Sequence, residues 1–501
     1  MQFRYCGLLL IIFCPALLFY SGCETNLDGQ LKENIPPRTF LTVDEINLED
    51  ENRLSSQINI SWWGDDPDGF VVGFEVAVDD SSEANWLFTT RTDSTFLLPI
   101  TPGQDFDDVL FCVRAIDNEG AKDPDPACVV FPIKNSPPFV QFLANETPPD
   151  TTFTIVSFGW QIGDPDGLQN LLKTEIALND TTDENWIELP LPEGNDDRQF
   201  ITLVIKDEDS EMASADIFLG RGFRSSDLVI EGISINGENQ LFLRATDQAL
   251  AVSEIESVEW FVKKQTSKIL VLNDVGGITS QSALAFHLDA IQQAGLSVDV
   301  WYITDGTAGG GQKVRLSNAF PSVINPTLRK TLAQWNYIYW LSNDIDRNLT
   351  FAQDILADFF EDGGELFATM PMKQLSEEDP IFSFIPVARL AELPPIGTSF
   401  QISNGTEILP IGQGPVLRAN QRITNVFPME PIGGATPLYE TDFRVRTILG
   451  TTQSFDGIEY VAIMNPEENF IFFGMDLQTV DANENIPDLL QSLLIDKLGF
   501  E

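Results

Sequence analysis

The sequence predicts a multidomain β plus α/β protein, in which two β-sandwich domains precede a doubly wound parallel-sheet domain. Three observations lead to this prediction. One strand-rich segment occurs twice before residue 263, strands and helices alternate after it, and 43% of the 501 residues are hydrophobic. That hydrophobic fraction is enough for packed cores, and the length suits about three domains of roughly 150 residues each.

Residues 1–22 have the pattern of an export leader. Arg4 precedes an apolar stretch over 7–20, which is too short for the roughly 20 residues that span a bilayer. Ser21 and Gly22 then precede Cys23, and this arrangement resembles the lipobox of bacterial lipoproteins. The resemblance implies a signal peptide over 1–22, lipidation of Cys23 and a linker over 23–35. An ordinary secretory signal, with Cys23 incidental, is the alternative.

A lipid anchor would place the protein in the cell envelope, at the outer membrane or the cell surface of a Gram-negative bacterium. The chain has 76 acidic and 29 basic residues, for a net charge of −47. This charge excludes a nucleic-acid partner and electrostatic docking on anionic lipid, since both need clusters of lysine and arginine. His287 is the only histidine of the sequence, which excludes sites built from several histidines.

Two cysteines besides Cys23 remain after the leader, Cys112 and Cys128. Each lies in a strand-like segment, and the turn-rich stretch 117–126 separates the two segments. A hairpin centred near Gly120 would place them opposite each other, so a disulfide is predicted for an oxidising compartment. Two buried thiols are the alternative.

The middle of the chain contains an internal repeat. Asn34-Ile35-Pro36-Pro37 matches 135–138, the segment from Ile60 matches that from Val156, and FCVRAID over 111–117 matches LFLRATD over 241–247. The offset between the copies is 98 residues between Asp68 and Asp166 and 130 residues at the last of these segments, so the second copy contains an insertion.

Each copy has short strands rich in Val, Ile, Phe and Trp, separated by Pro, Gly, Asp and Asn turns, which is typical of a β-sandwich. The W-x-G-D-x-x-D-G and V-R-A-x-D-x-x-G motifs of the first copy resemble those of fibronectin type III or immunoglobulin-like modules in bacterial surface lipoproteins. The resemblance implies sandwiches over 36–134 and 135–263. Such modules act as spacers, adhesion units or sugar binders.

Two acidic loops of the first copy would lie at one end of the sandwich. Clustered carboxylates repel one another unless a cation neutralises them, and calcium prefers six to eight oxygen ligands. The sequence therefore raises the possibility of a calcium site, with a thinner set in the second copy at Asp164, Asp166 and Asp247. Ordinary turn chemistry of D-P-D-G is the alternative. The candidate ligands of the first copy are Asp65, Asp66, Asp68, Asp117, Asp123 and Asp125.

From about residue 264, strand and helix patterns alternate, as in a parallel sheet with helices on both faces. Strands are predicted at 268–274, 297–303, 337–343 and 365–369, a hairpin-like region at 457–477, and helices at 282–295, 325–335, 350–364 and 487–500. The segments ILVLNDVGG, EDGGELFAT and FFGMDL resemble the class I glutamine amidotransferase-like, flavodoxin-like fold over 264–501, with an irregular insertion near 373–455.

In catalytic members of that family, a cysteine nucleophile follows the strand after the Gly-Gly turn, and a histidine and a glutamate assist it. Here Thr369-Met370-Pro371-Met372 follows that strand, and the domain has no cysteine. His287 lies in the first predicted helix and is interpreted as a structural residue. The resemblance therefore implies a domain without this catalytic chemistry.

Ligands of open α/β sheets bind beyond the carboxyl ends of the strands. Amides and carboxylates at that rim suit a sugar or a cation, although ordinary loop chemistry would also explain them. The candidate rim residues are Asn273, Asp274, Gly276, Gly277, Asn343 and Asp344, flanked by Ser342, Thr369 and Met370.

The leading hypothesis is a non-catalytic, lipid-anchored envelope protein, whose sandwiches present the α/β domain to a glycan or an envelope protein. One alternative is a hydrolase of extracellular polysaccharide that uses rim carboxylates such as Asp274 and Asp344. Another is a structural spacer. Ca²⁺ is the one cofactor that the sequence suggests.

Overall fold

The computed structural model describes residues 32–42, 53–194, 196–207, 209–210, 212–302, 326–346, 348–349 and 352–501. The predicted leader and Cys23 lie outside these residues. The described residues form two compact units. The first contains those within 1–46, 59–96 and 108–131, and the second those within 47–58, 97–107 and 132–501.

The first repeat has two sheets, as predicted for a β-sandwich. One has the order β1-β3-β6 and the other β2-β8-β7-β4-β5. Alternate residues of β3 point inward, and Trp62 packs there against Phe74 and Phe111. The strands are β1 Arg38–Thr42, β2 Leu54–Ser55, β3 Gln57–Asp65, β4 Val71–Val78, β5 Leu87–Thr89, β6 Asp93–Leu97, β7 Phe106–Asp117 and β8 Ala127–Lys134.

The predicted disulfide is confirmed. Cys112 of β7 is bonded to Cys128 of β8, and β7 and β8 are neighbours in the sheet. Both strands leave the turn around Gly120, which has a φ of +88°. A residue without a Cβ adopts this backbone conformation without strain.

The second repeat is also a sandwich, with sheets ordered β16-β15-β14-β11-β9 and β10-β18-β17-β12-β13. Each strand of the first repeat has a counterpart here, and β15 and β16 are additional. The predicted insertion is therefore a hairpin that widens one sheet. The strands are β9 Phe139–Phe142, β10 Thr151–Thr152, β11 Ile155–Gly163, β12 Leu171–Leu178, β13 Ile187–Leu189, β14 Arg198–Lys206, β15 Met212–Leu219, β16 Arg224–Ser234, β17 Gly237–Asp247 and β18 Glu256–Val262.

The C-terminal part contains a nine-stranded sheet of order β20-β19-β21-β22-β32-β31-β28-β25-β26. The pairs from β20 to β32 are parallel and the remaining pairs are antiparallel. The strands of this part are β19 Ile269–Asp274, β20 Asp299–Tyr302, β21 Tyr337–Ser342, β22 Glu365–Thr369, β23 Val387–Leu390, β24 Gly397–Gln401, β25 Glu407–Pro410, β26 Leu417–Arg418, β27 Met429–Pro431, β28 Thr436–Thr441, β29 Arg444–Thr447, β30 Thr452–Ser454, β31 Tyr460–Met464 and β32 Phe470–Phe473.

Helices cover both faces of the parallel strands. Since alternate residues of a strand face opposite sides of the sheet, neighbouring residues pack against different helices. Val271 and Tyr339 pack with α1 and α5, whereas Leu272 and Trp340 pack with α2, α3 and α4. The helices are α1 Ser280–Gln293, α2 Pro326–Leu332, α3 Ala352–Ile355, α4 Ala357–Glu361 and α5 Ile486–Leu490, the last continuing into a wide π-type turn over Gln491–Ile495.

Two expectations for this part need correction. The predicted helix over 350–364 is broken at Leu356 into α3 and α4. The region 373–455 is not irregular, since β23 to β30 all lie in it and three of them extend the parallel strands into a mixed sheet. Strands of two to six residues are too short for a periodic pattern to reveal.

Candidate functional site

The carboxyl ends of the parallel strands form the rim where a ligand was predicted. β19 ends at Asp274, β21 at Ser342 and β22 at Thr369. Two of the predicted rim residues, Asn273 and Asp274, are fully buried. Asn348 Nδ2 donates to Asp274 Oδ1 at 2.6 Å, and Trp340 Nε1 donates to Oδ2 at 3.4 Å. These two residues therefore support the rim from inside.

Three other predicted residues organise the rim loops. The Gly276 amide donates to Asn343 Oδ1 at 3.1 Å, and Asn343 Nδ2 donates to the Gly276 carbonyl at 2.9 Å. Gly277, which follows, has a φ of +86° that favours glycine. This reciprocal pair of hydrogen bonds ties the loop after β19 to the loop after β21.

A cavity of about 410 Å³ opens beside these loops. Two of its lining residues, Asn343 and Asp344, were predicted from the sequence. The other lining residues were not predicted from the sequence, and they come from the loop after β22 and from the region 373–455. The residues after β22 could have been found because they follow a predicted strand, whereas no such signal marks Asn425. The full lining is Asn343, Asp344, Pro371, Met372, Lys373 and Asn425.

An ion-pair network fixes the charge of this cavity. Lys373 Nζ lies 2.8 Å from Asp344 Oδ1 and also pairs with Asp346. Burial alone would lower the pKa of Lys373, but the hydrogen bonds and charges of the two carboxylates outweigh burial and raise it. Lys373 is therefore an ammonium donor at any physiological pH.

The side chains after β22 and the histidine of α1 are held within the chain. Met370 and Met372, which follow β22, are buried, and Thr369 Oγ1 donates to the Met475 carbonyl at 2.9 Å. His287 is buried in α1 with its Nδ1 2.6 Å from the Tyr339 hydroxyl. Burial lowers the pKa of His287 to about 3, so the ring stays neutral and acts in packing.

The acidic loops of the first repeat are hydrogen-bonded within the chain. Asp117 accepts bonds from Asn34 Nδ2 at 2.6 Å and from the amides of Glu119 and Ala121. Asp123 accepts from the Thr39 amide at 2.6 Å.

Two carboxylates of the D-P-D-G turn in the first repeat also accept hydrogen bonds from backbone amides. Asp66 accepts from the Asp68 amide at 3.3 Å and Asp68 from the Ile35 amide at 3.3 Å. Asp65 lies opposite Arg38 in the sheet, and the remaining candidate, Asp125, donates its amide to Asp123.

Hydrogen bonds within the chain therefore account for the carboxylates of Asp68, Asp117 and Asp123. One oxygen of Asp66 is also bonded, whereas its Oδ2 is buried without a hydrogen-bond partner. Over the ranges that the structure describes, no group of three or more His, Cys, Asp or Glu side chains could hold a metal ion. The calcium site stays a prediction, and turn chemistry remains the alternative for the same residues.

The second repeat has equivalent hydrogen bonds, in which residues at the start of the repeat donate to its carboxylates; we call such a contact a latch. Asn135 Nδ2 donates to Asp247 at 2.6 Å, as Asn34 does to Asp117. Asp166 accepts from the Ser136 amide at 2.7 Å, as Asp68 does from Ile35. Asp166 is fully buried and also accepts from Ser55 Oγ at 2.6 Å and from the Ser56 amide at 2.9 Å.

The buried carboxyl of Asp164 predicts a pH dependence of stability. Burial raises the pKa of Asp164 from 3.8 to about 6. The charges of Asp166 and Asp247 raise this pKa further, and the hydrogen bonds that Asp164 accepts lower it in part. Between pH 4 and 6 the folded chain therefore binds more protons here than the unfolded chain, so this group adds stability as pH falls from 7.5 to 5. We expect the unfolding midpoint of the second unit to be a few degrees higher at pH 5.

Asp164→Asn is the matched variant, because it keeps the side-chain shape without the charge. Differential scanning calorimetry at pH 5 and pH 7.5 should show a smaller difference in this variant than in the wild type. An equal difference in both proteins would show that other carboxyl groups cause the pH dependence.

No helix in the described part of the chain is long and apolar enough to cross a membrane. No family model matches the sequence, and no curated protein matches it either.

Solved structures give only remote similarities. The fibronectin(III)-like modules of Clostridium thermocellum CbhA are 14% identical over 45% of this chain and 95% of theirs, with a TM-score of 0.15. The glutaminase domain of Trypanosoma brucei CTPS is 10% identical over 46% of this chain and 94% of that domain, with a TM-score of 0.29. These scores are too low to carry an argument about function, which depends on the residues themselves.

Proposed function

We propose that the protein is a lipid-anchored, non-catalytic component of a bacterial cell envelope, whose C-terminal domain binds a polar ligand at the rim cavity. In this proposal the two sandwiches are fibronectin III-like and the C-terminal domain is a degenerate class I glutamine amidotransferase-like domain. Cys23 provides the anchor, and the ligand is a soluble oligosaccharide of the envelope or its surroundings.

The observation that carries the proposal is the cavity of about 410 Å³ at the carboxyl ends of β21 and β22. Open α/β sheets bind their ligands at this edge. Met370 and Met372 occupy the loop in which enzymes of the resembled family have their nucleophile. A site that keeps the location but lacks the nucleophile favours binding over turnover.

The chemistry of the lining favours a ligand rich in hydroxyl groups. Asn343 and Asn425 have amide side chains, Asp344 is an acceptor and Lys373 is a donor. Met372 adds an apolar surface. Because Lys373 is already paired with two carboxylates, the site has no excess positive charge to attract an anion. Hydroxyl groups both donate and accept, so they match such a mixed lining.

Lys373→Met should weaken oligosaccharide binding about tenfold, which corresponds to about 1.4 kcal/mol. The variant removes the ammonium donor and the ion pairs that it makes with Asp344 and Asp346. Isothermal titration calorimetry of the full chain with a panel of neutral oligosaccharides measures the effect. Lys206→Met, which removes the ion pair with Asp216 in the second sandwich, is the control and should leave binding unchanged.

Absence of binding across the panel, or equal affinity of wild type and Lys373→Met, would contradict the proposal. Product analysis of the same mixtures tests the hydrolase alternative. Turnover that disappears in Asp344→Asn, which keeps the shape of the carboxylate that lines the cavity, would replace binding by hydrolysis as the function of this rim.

A further inference from the structure

The first sandwich exposes a stacked pair of aromatic rings on the outer face of its three-stranded sheet. Phe40 of β1 is the cross-strand partner of Trp63 of β3. The ring centroids are 4.1 Å apart and the ring planes differ by 16°. Phe40 is 40% exposed and Trp63 is 51% exposed. Large apolar side chains that remain together in water often mark a binding surface.

The second sandwich shows that the fold does not require this aromatic pair. The D-P-D-G motif begins four residues after each tryptophan and so aligns Trp62 with Trp160, and both indoles are buried in their cores. The next residue is Trp63 in the first repeat and Gln161 in the second. Gln161 is paired across the strands with Gln141, as Trp63 is with Phe40. The inward tryptophan is thus common to both repeats, and the outward aromatic pair is specific to the first.

Polar side chains flank the pair along the same face. Arg38 lies opposite Asp65, and Thr42 opposite Ser61, each two residues away from an aromatic position. Residues two apart in a strand share a face. All four are exposed. They place donors and acceptors on both sides of the rings, and the charges of Arg38 and Asp65 balance.

We propose that this face binds a neutral polysaccharide, with a pyranose ring stacked on Trp63. The C–H groups of a pyranose are weakly positive and match the negative face or the apolar body of an indole. The hydroxyl groups at the edge of the sugar then meet the flanking polar residues. Phe40 restrains the indole before binding, which reduces the entropy lost in the complex.

The charge of this face and of the whole chain favours a neutral polymer over an anionic one. The local charges of this face cancel, and the chain as a whole has a net charge of −47, which repels anionic chains. This surface belongs to the first unit and the rim cavity to the second, so the two binding proposals can fail separately.

Affinity electrophoresis of the full chain tests the inference. Native gels contain barley β-glucan, xylan or galactomannan as neutral probes, and polygalacturonate as the anionic control. We expect retardation by at least one neutral polymer and none by polygalacturonate. Trp63→Gln and Phe40→Gln, which introduce the residues of the second repeat, should each weaken retardation at least tenfold.

Two matched variants separate this surface from others. Phe88→Gln removes an aromatic side chain that is 60% exposed on β5, in the other sheet of the same sandwich, and should leave retardation unchanged. Lys373→Met should also leave it unchanged, because it alters only the rim cavity. The unfolding midpoints of the two glutamine variants at positions 40 and 63 should equal that of the wild type, since the second sandwich tolerates glutamine there.

Three results would overturn the inference. One is a lack of retardation by every neutral polymer, and another is an equal loss of retardation in Phe88→Gln. The third is a concentration-dependent dimer in analytical ultracentrifugation that Trp63→Gln abolishes, since a second copy of the chain would then be the partner of this face.

Discussion

Asp166→Ala should lower the free energy of unfolding of the second unit by about 3 kcal/mol, which lowers the unfolding midpoint of a unit of this size by about 4 °C. Asp166 is fully buried and its carboxylate accepts hydrogen bonds from Ser55 Oγ and from the amides of Ser56 and Ser136. Alanine would leave these donors without their acceptor in a buried site, and the cost of an unsatisfied buried donor exceeds the gain from making the bond. Calorimetry of the full chain measures the shift.

Asp68→Ala is the internal control for that experiment. Asp68 occupies the same position of the D-P-D-G turn in the first repeat, but it accepts from the Ile35 amide at 3.3 Å and lies 3.6 Å from Lys32 Nζ. These contacts are longer and lie at the surface, so we expect a loss of no more than about 0.5 kcal/mol, which is about 3 °C for the much smaller first unit. Similar losses of unfolding free energy in Asp68→Ala and Asp166→Ala would refute the idea that burial of the carboxylate, rather than turn chemistry alone, determines the strength of the latch.

Cys23→Ser should move the protein almost completely from the membrane fraction to the soluble fraction. If Cys23 is lipidated, its acyl chains are the anchor, and each buried CH₂ contributes about 0.8 kcal/mol to membrane binding. Fractionation of cells that produce the full chain, with immunoblotting, measures the distribution. Mass spectrometry of the wild-type N-terminal peptide should show a mature chain that begins at an acylated Cys23.

Cys112→Ser controls for a general effect of losing a cysteine. It breaks the disulfide of the first sandwich and should leave the protein in the membrane fraction. A soluble wild-type protein, or a membrane-bound Cys23→Ser protein, would exclude lipidation of Cys23 as the anchor and favour an ordinary secretory signal.

The repeat shows how much of this fold the sequence could predict. The matching motifs around Trp62 and Trp160 correctly predicted two sandwiches. Cys112 and Cys128 lie on either side of the same turn, and this arrangement correctly predicted their disulfide. These inferences succeeded because they depend on local patterns: alternation within a strand, and a turn between two adjacent strands. In the C-terminal part, the strand over 365–369 lies at the predicted residues. A short apolar run directly after a Gly-Gly turn is too short for a helix and fits a buried strand.

The candidate sites depended on contacts between distant segments, which no local pattern encodes. Asp274 and Asp344 look equivalent in the sequence, yet the first is buried beneath Asn348 and Trp340 and the second lines the cavity. Asn425 reaches that cavity from a region without periodic signals.

By itself, the sequence determined the charge, the repeated sandwiches, the disulfide and the alternation of strands and helices, because each depends on composition or on residues close in the chain. Only the tertiary structure decided that the carboxylates of the D-P-D-G turns are latches and that Phe40 and Trp63 stack in the open. The physical reason is that burial and hydrogen-bond partners are fixed by strand pairing between residues far apart in sequence, and identical side chains take different roles according to that pairing.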